Sequence, residues 1–259
     1  MAAHNRVHVA VSGASGMLNP VRIRQAGQIA HMPRPRFRVA LVRLLMLWPA
    51  TWLAAQSVPT DSFPSQGRRV TYEVFESQRA NRTLILLHGA SGPEGYRPQA
   101  SYFADHGYRT LLPHYYDAAG SKARNTQNYV AWVGAVCDLI AKVRQSNPTE
   151  KIYLVGYSLG ASVALAAGSQ RASVGAIADW YGSLPDSFFR SLKGMPPLLI
   201  LHGQGDTNIP VSNARQLIRL CELAHFTCES HIYADEGHGF IGKAMADADA
   251  RTLAFFAKH

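Results

Sequence analysis

The 259-residue sequence predicts an α/β fold with a mostly parallel central sheet, and two observations support this prediction. The first is a set of short, continuous apolar runs that end in glycine-containing turns: TLILLHG, KIYLVGYS, VGAIADWYG and PPLLILHGQGD. Such runs are typical of strands that are buried on both faces of a parallel sheet. The second is that segments of helical length lie between these runs, so strand and helix alternate along the chain. We therefore expect one domain with helices on both faces of the sheet.

The elements can be assigned in order from residue 58 onward. A proline- and serine-containing segment, VPTDSFPSQG, leads into RRVTYEVFES, whose alternating apolar residues are typical of a half-buried strand. The four buried runs follow, and FTCESHIY is a further strand near the C-terminus. The predicted helices are 98–106, 125–145, 159–170, 211–224 and 243–258. Only a short link joins ADWYG to PPLLILHG, so we expect no lid domain.

The N-terminal part of the chain has the composition of a targeting segment. Residues 1–57 contain seven arginines and no acidic residue, which leaves 19 basic and 17 acidic residues in the rest of the chain. Residues 32–57 have a basic start, an apolar run and a small-residue end at Ala55 and Ser57, the pattern of a secretory signal peptide. We therefore expect export to the periplasm or the medium. Residues 1–31 are interpreted as a non-structural segment upstream of a translation start at Met32.

Two other interpretations of the N-terminal part fit the sequence less well. A retained membrane anchor or a structural first helix fits less well, because the apolar run is short and contains Arg43 and Pro49. The segment VHVAVSGASGML is similar to the opening of a dinucleotide-binding turn, but the remainder of that motif and its ribose-binding carboxylate do not follow. We expect neither a nucleotide cofactor nor a nucleic-acid partner, and no stable membrane anchor.

The stretch LVGYSLGAS, residues 154–162, contains a candidate nucleophile. Ser158 directly follows an apolar strand and is flanked by Gly156 and Gly160, as in a nucleophile elbow, where larger side chains would collide with the neighbouring strand or helix. The small apolar segment after it is typical of a helix packed on the sheet. The alternative is a surface serine between two glycines.

A serine hydroxyl needs a base and an orienting acid to act as a nucleophile. Asp206 in LHGQGDTNIP and His238 in YADEGHGF each follow a predicted strand, and the order Ser, Asp, His matches a hydrolase triad. Asp206 as a turn residue and His238 as a loop residue are the individual alternatives. Asp235 and Glu236 are less suitable acids because they are so close to His238 in the sequence.

The tetrahedral intermediate of such a site requires hydrogen-bond donors for its oxyanion. We expect one donor to be the backbone N–H of Leu159 and the other to be that of Ala90 in the loop HGASGPEG, with Gly89 and Ser91 as close alternatives. No spacing of Cys, His and Asp resembles a zinc site, so neither a metal nor another cofactor is expected.

Aromatic and cysteine residues complete the set of candidates. Tyr115, Trp180 and Tyr181 lie at or near strand ends and are candidates for the substrate pocket, although core packing explains each equally well. Cys221, near the end of a helix, and Cys228, at the start of a strand, are close enough in sequence to form a disulfide in an oxidising compartment.

The motifs LILLHGASG, VGYSLGAS, ADWYG, LLILHGQGDTNIP and DEGHGF, in this order, resemble the dienelactone hydrolase family. The resemblance covers the chain from about residue 69 to its end. It implies a compact α/β-hydrolase fold without a lid, hydrolysis of carboxylic esters or lactones, and a triad of Ser158, Asp206 and His238. One departure is that the founding enzymes of the family have a cysteine nucleophile, whereas this chain has a serine.

The sequence therefore predicts a serine hydrolase that cleaves carboxylic esters or lactones of small acyl substrates through an acyl-enzyme. Two alternatives remain open. One is a serine peptidase of related fold, which would usually carry a large gating domain that is not evident here. The other is a hydrolase-like protein that binds ligands without turnover, although such a protein would have no physical need for a complete triad.

Overall fold

The computed structural model describes residues 57–259 except Arg79, 171–172, 188–191 and 193. The signal peptide predicted at 32–57 and the upstream segment 1–31 lie outside the described residues, apart from Ser57. The described residues belong to one compact unit.

An eight-stranded sheet forms the centre of the domain, in the order β1-β2-β4-β3-β5-β6-β7-β8. The strands are β1 Thr60–Ser65, β2 Arg68–Phe75, β3 Arg82–Leu87, β4 Arg109–Pro113, β5 Lys151–Tyr157, β6 Ala176–Trp180, β7 Leu198–Gly203 and β8 Cys228–Tyr233. Strands β3 to β8 are parallel, and β2 is antiparallel to both β1 and β4. The carboxyl ends of β3, β5, β7 and β8 therefore lie at the same edge.

The described residues form five α-helices close to their predicted positions; four of them connect strands, and α5 follows β8. They are α1 Arg97–Asp105, α2 Thr126–Ser146, α3 Leu159–Ser169, α4 Ser212–Ala224 and α5 Gly242–Lys258. The prediction missed two strands. Strand β1 contains Pro64 and mostly polar residues, and it pairs only with β2 at the sheet edge. Strand β4 is five residues long, RTLLP, and is too short to show a periodicity of its own.

Two apolar cores hold the helices against the two faces of the sheet. On one face, Ile85 and Leu87 of β3 pack in a cluster that includes Trp132 of α2 and apolar residues of α3 and α4. On the other face, Leu84 and Leu86 lie in a cluster with residues of α1 and α5. This alternation along β3 follows from the two-residue period of a strand. Each large apolar side chain buried in these clusters stabilises the folded state by about 1.5–3 kcal/mol. The layered α/β arrangement was correctly predicted.

A disulfide joins Cys221 in the last turn of α4 to Cys228 at the start of β8, with the Cα atoms 6.1 Å apart. His225, the residue after the helix, has a left-handed backbone (φ 54°) that turns the chain toward the strand. The third cysteine, Cys137 of α2, is a half-buried free thiol whose pKa is raised to about 11 by burial.

The segment between β6 and β7 bears on access to the sheet edge. Its described residues, within 181–197, form no α-helix or β-strand.

In the described part of the chain, no helix is both long enough and apolar enough to cross a membrane.

Candidate active site

Ser158 stands at the junction of β5 and α3 in a strained turn. Its backbone has φ 55° and ψ −116°, a conformation that costs about 1–3 kcal/mol in a non-glycine residue. The Ser158 N–H donates to the carbonyl of Trp180 at 2.9 Å, which ties the turn to β6. A Cβ atom on Gly156 would lie 2.4 Å from the Gly160 carbonyl oxygen, and one on Gly160 would lie 2.1 Å from the Leu87 carbonyl oxygen. The glycines are thus required by close packing, as predicted.

Three side chains from three strand ends form a continuous hydrogen-bonded chain. Nε2 of His238 lies 2.8 Å from Oγ of Ser158, and Nδ1 of His238 lies 2.7 Å from Oδ2 of Asp206. Because a carboxylate only accepts, Nδ1–H donates to Asp206 and leaves Nε2 to accept the serine proton. The Asp206 side chain is fully buried, while that of His238 is 18% exposed. This is the arrangement of a nucleophile, a general base and an orienting acid.

The Asp206 carboxylate is fixed by its own loop. Its Oδ1 accepts the backbone N–H groups of Asn208 at 2.8 Å and Ile209 at 2.9 Å, so Oδ2 is left to face His238. Nε2 of His202, at the end of β7, donates to the Ile209 carbonyl at 2.8 Å and lies 3.3 Å from Oδ2 of Asp206. Burial lowers the pKa of His202, so the neutral ring supports the loop through a hydrogen bond.

Backbone contacts bring the loops that carry Asp206 and His238 together. The Gln204 N–H donates to the Tyr233 carbonyl at 2.8 Å, and the Gly205 N–H donates to the Glu236 carbonyl at 2.9 Å. The Glu236 backbone carbonyl therefore supports the loop that carries Asp206. The carboxylate that accepts the hydrogen bond from Nδ1 of His238 belongs to Asp206 and not to Glu236. The structure does not bring Asp235, an exposed residue, to this position.

The residues of the two expected oxyanion donors, Leu159 and Ala90, line the same cavity as Ser158. Leu159 is the first residue of α3, so its N–H has no acceptor within the helix, and the positive end of the helix dipole is at the same place. Ala90 lies in the loop after β3 and lines the same cavity as Ser158 and Leu159. The close contact of Gly160 with the end of β3 holds this loop against the start of α3.

A cavity of about 860 Å³ opens above the triad. Its wall combines hydroxyl and amide groups with a few apolar surfaces. Besides Ser158, Leu159, His238 and Ala90, it is lined by Tyr96, Arg124, Ser162, Tyr181, Ser183, Thr207, Asn208, Ile209 and Gly239. The Tyr181 ring contacts the His238 ring edge-on, with centroids 5.0 Å apart. The reactive groups therefore face a space that accommodates a small organic molecule.

Comparison with known proteins identifies the family of this chain. The sequence profile of the dienelactone hydrolase family matches residues 73–257. The chain belongs to the dienelactone hydrolase family. Membership in this family supports ester hydrolase activity on small molecules.

Solved structures of similar fold include a Klebsiella pneumoniae protein assigned as a dienelactone hydrolase, with a TM-score of 0.67 and 17% identity over 78% of this chain and 100% of that one. Esterase 2 of Thermogutta terrifontis has a TM-score of 0.64 and 17% identity over 78% of this chain and 94% of that one. An esterase of Pyrococcus furiosus has a TM-score of 0.65 and 16% identity over 78% and 91%. These likenesses establish the α/β-hydrolase fold.

Three aromatic residues are candidates for the pocket of this dienelactone hydrolase family member. The structure places two of them in the core, so the pocket prediction is wrong for these two. Tyr115 is fully buried, and its hydroxyl donates to the His88 carbonyl at 2.7 Å. Trp180 is also fully buried, and its Nε1–H donates to Oγ1 of Thr252 at 3.1 Å. Both satisfy their polar atoms inside the protein, which keeps them in the core. Tyr181 does line the cavity.

Several lining residues were not singled out from the sequence. Arg124 and Ser183 come from a connecting loop and from the segment after β6, and no motif marks them. Ser162 lies in α3 at the end of the motif VGYSLGAS, but nothing in that motif distinguishes it from a buried helix residue. Among the residues described, no group of three or more His, Cys, Asp or Glu side chains is arranged to bind a metal ion.

Proposed function

We propose that this protein is a serine hydrolase that cleaves carboxylic esters or lactones of small acyl substrates through an acyl-enzyme intermediate. The observation that carries the proposal is the hydrogen-bonded chain from Ser158 through His238 to Asp206 at the wall of an open cavity. A hydroxyl in this position has a base within hydrogen-bond reach, and the base has an acid that orients it.

The geometry suggests the following course. Oγ of Ser158 attacks the ester carbonyl while its proton passes to Nε2 of His238, and Asp206 stabilises the imidazolium that forms. The negative charge on the carbonyl oxygen is stabilised by the N–H groups of Leu159 and Ala90. Collapse of the tetrahedral intermediate breaks the bond to the alkoxy oxygen, which takes the proton from His238. Water, deprotonated by His238, then attacks the acyl-enzyme, and Ser158 recovers its proton as the acid product leaves.

The cavity and the structural relatives support small substrates. The cavity of about 860 Å³ is in the size range of small-molecule sites. Esterase 2 of Thermogutta terrifontis has been described with propionate bound and as phosphorylated by paraoxon. By analogy, we expect short acyl esters to be substrates of this protein and activated organophosphates to be covalent inhibitors.

Burst kinetics with p-nitrophenyl acetate test the proposal. Because acylation releases nitrophenol before deacylation, a serine esterase with slow deacylation shows a burst equal to the enzyme concentration, and Ser158→Ala shows neither burst nor turnover. Ser169→Ala is the matched control, because Ser169 is in the same helix but does not line the cavity; it should retain the wild-type rate. A series of p-nitrophenyl esters from acetate to octanoate then defines the acyl preference. Full activity of Ser158→Ala would refute the assignment, and absence of turnover by the wild type would favour a binding protein.

A further inference from the structure

The loop that follows β3 has a specific orientation requirement if the proposed function holds. Residues 88–91 must direct the Ala90 N–H toward the oxyanion, and loops of this kind are otherwise free to rotate their peptide groups. A peptide group is planar and trans, so the C=O of one residue and the N–H of the next point in opposite directions. The hydrogen-bond donors to the Gly89 carbonyl therefore fix the direction of the Ala90 N–H.

Side chains hold three successive carbonyl groups in this loop. The Tyr115 hydroxyl donates to the His88 carbonyl at 2.7 Å. Nδ1–H of His88 donates to the Gly89 carbonyl at 2.8 Å. The Tyr116 hydroxyl donates to the Ala90 carbonyl at 3.2 Å. The peptide that carries the Ala90 N–H is thus fixed through its own carbonyl, and the peptides on both sides of it are fixed as well.

The donors are themselves immobilised. The fully buried His88 ring stacks on the Tyr115 ring, with centroids 4.1 Å apart and planes 11° apart, and meets the Tyr116 ring edge-on at 4.9 Å. Both tyrosines lie in the turn after β4 and contact Trp132 of α2, at 5.9 and 5.0 Å. Burial lowers the pKa of His88 to about 4. The ring therefore stays neutral near pH 7, with its proton on Nδ1 because a carbonyl oxygen can only accept.

We propose that Tyr115 and Tyr116 are positioning residues for the oxyanion hole, which act through the backbone carbonyls of residues 88 and 90 and through the packing of His88. Neither hydroxyl is placed on the reacting atoms. This assignment rests on the proposed function, and it gives Tyr115 a role other than the pocket contact expected from the sequence. It explains why two adjacent tyrosines, rather than phenylalanines, fill this part of the core.

Removal of the hydroxyls alone tests the proposal. Tyr115→Phe, Tyr116→Phe and the double variant keep the rings that pack on His88 and lose only the hydrogen bonds. The oxyanion develops only in the transition state, so kcat should fall while KM changes less than about twofold. We expect about a tenfold loss in kcat for Tyr115→Phe, less for the longer hydrogen bond of Tyr116, and about 10- to 100-fold for the double variant. Active sites are counted by titration with paraoxon, so that a misfolded fraction does not enter kcat.

The affinity of a trifluoromethyl ketone, which forms a tetrahedral adduct with the serine, provides a readout that general packing would not change. It should weaken by the same factor as kcat in each variant. Tyr153→Phe is the control, because Tyr153 is a fully buried tyrosine of β5 whose hydroxyl has no hydrogen-bond partner among the described residues. It should leave kcat and ketone affinity unchanged.

Each outcome decides the question. Wild-type kcat and ketone affinity in the double variant, with Ser158→Ala inactive, would overturn the positioning role and leave the proposed function intact. A loss confined to KM, or an equal loss in Tyr153→Phe, would also overturn it. If the wild type does not hydrolyse esters at all, the proposed function itself has failed. A drop in kcat matched by weaker ketone binding supports the assignment.

Discussion

The Asp206 carboxylate accepts three hydrogen bonds, two from backbone N–H groups of its own loop and one from His238. Two backbone N–H groups donate to Oδ1 and Nδ1–H of His238 donates to Oδ2, so the carboxylate both shapes its loop and orients the His238 ring. An asparagine would retain the loop contacts through its amide oxygen. It would, however, present an NH₂ group to Nδ1 of His238 and favour the wrong tautomer of the ring.

Asp206→Asn should therefore lower kcat by about 10⁴-fold while the protein remains folded. Asp235→Asn is the matched control, because Asp235 is an exposed carboxylate of the loop that carries His238, and it should be within about twofold of wild type. Steady-state ester hydrolysis and a thermal unfolding curve for each variant provide the test. A silent Asp206→Asn combined with a severe defect in Asp235→Asn would show that the acid is misassigned.

Asp179 is a buried carboxylate outside the triad, and it makes stability depend on pH. Its Oδ1 accepts the Gly182 N–H at 2.8 Å, and burial raises the pKa of the carboxyl from 3.8 to about 7. Between these two pH values the folded state holds a proton that the unfolded state lacks. The stability that depends on this proton is therefore complete below about pH 4 and is lost as pH rises to about 7.

Asp179→Asn should remove this dependence, because an amide is neutral at every pH and keeps the acceptor for Gly182. The free energy of unfolding of the variant relative to wild type should increase by about 4 kcal/mol between pH 4 and pH 8. Urea unfolding at several pH values measures it. A difference that does not change with pH would contradict the explanation.

At the scale of elements, α4 and β8 are joined by a short turn and closed by the disulfide between Cys221 and Cys228. Strand β8 leads directly to the loop that carries His238, so the bridge braces the scaffold of the base. A loop this short gives only about 2–3 kcal/mol of stabilisation in the chain-entropy model.

The double variant Cys221→Ser/Cys228→Ser should lower the free energy of unfolding by about 2–3 kcal/mol. Cys137→Ser, which removes the free thiol, is the control. Reductant should lower the free energy of unfolding of this variant by the same amount as that of the wild type. Titration of thiols in the denatured, unreduced, exported protein should find one thiol for each chain. Three thiols would rule out the bridge.

The elements that the sequence predicted well are those with strong local signals. The buried runs of β3, β5, β6 and β7 are continuous and end in glycine, and the triad residues follow strands in a fixed order. Strands β1 and β4 were missed because their signals are weak: β1 is polar and contains Pro64, and β4 has only five residues. Their pairing with β2 is a tertiary effect that no local pattern contains.

The site was predicted less completely than the fold. The position of Tyr115 and Trp180 near strand ends fits the pocket and the core equally well in the sequence. The side to which each ring turns depends on partners such as His88 and Thr252. Arg124 was missed because the loop before α2 has no regular pattern. Such contacts depend on three-dimensional neighbours.

At the scale of the whole molecule, the charge is unevenly distributed. Seven arginines precede residue 58, and the rest of the chain is close to neutral, with 19 basic and 17 acidic residues. We therefore regard the basic character as a property of residues 1–57. It does not indicate an anionic partner for the domain.

When the protein is expressed in a bacterium with residues 1–57 included, we expect it to accumulate outside the cytoplasm with its N-terminus at or near Val58. Cell fractionation followed by intact-mass measurement provides the test. An abundant species that still begins at Met1 or Met32 would contradict export.

The central claim, that Ser158 is the nucleophile, is tested most directly by its covalent chemistry. The protein is treated with paraoxon and digested with trypsin, and the peptide 152–171 is sequenced by mass spectrometry. We expect one diethylphosphoryl group on Ser158, in proportion to the loss of esterase activity, and none on Ser158→Ala. Complete inactivation with the adduct on another residue, or an unmodified Ser158 in an inactivated enzyme, would contradict the claim.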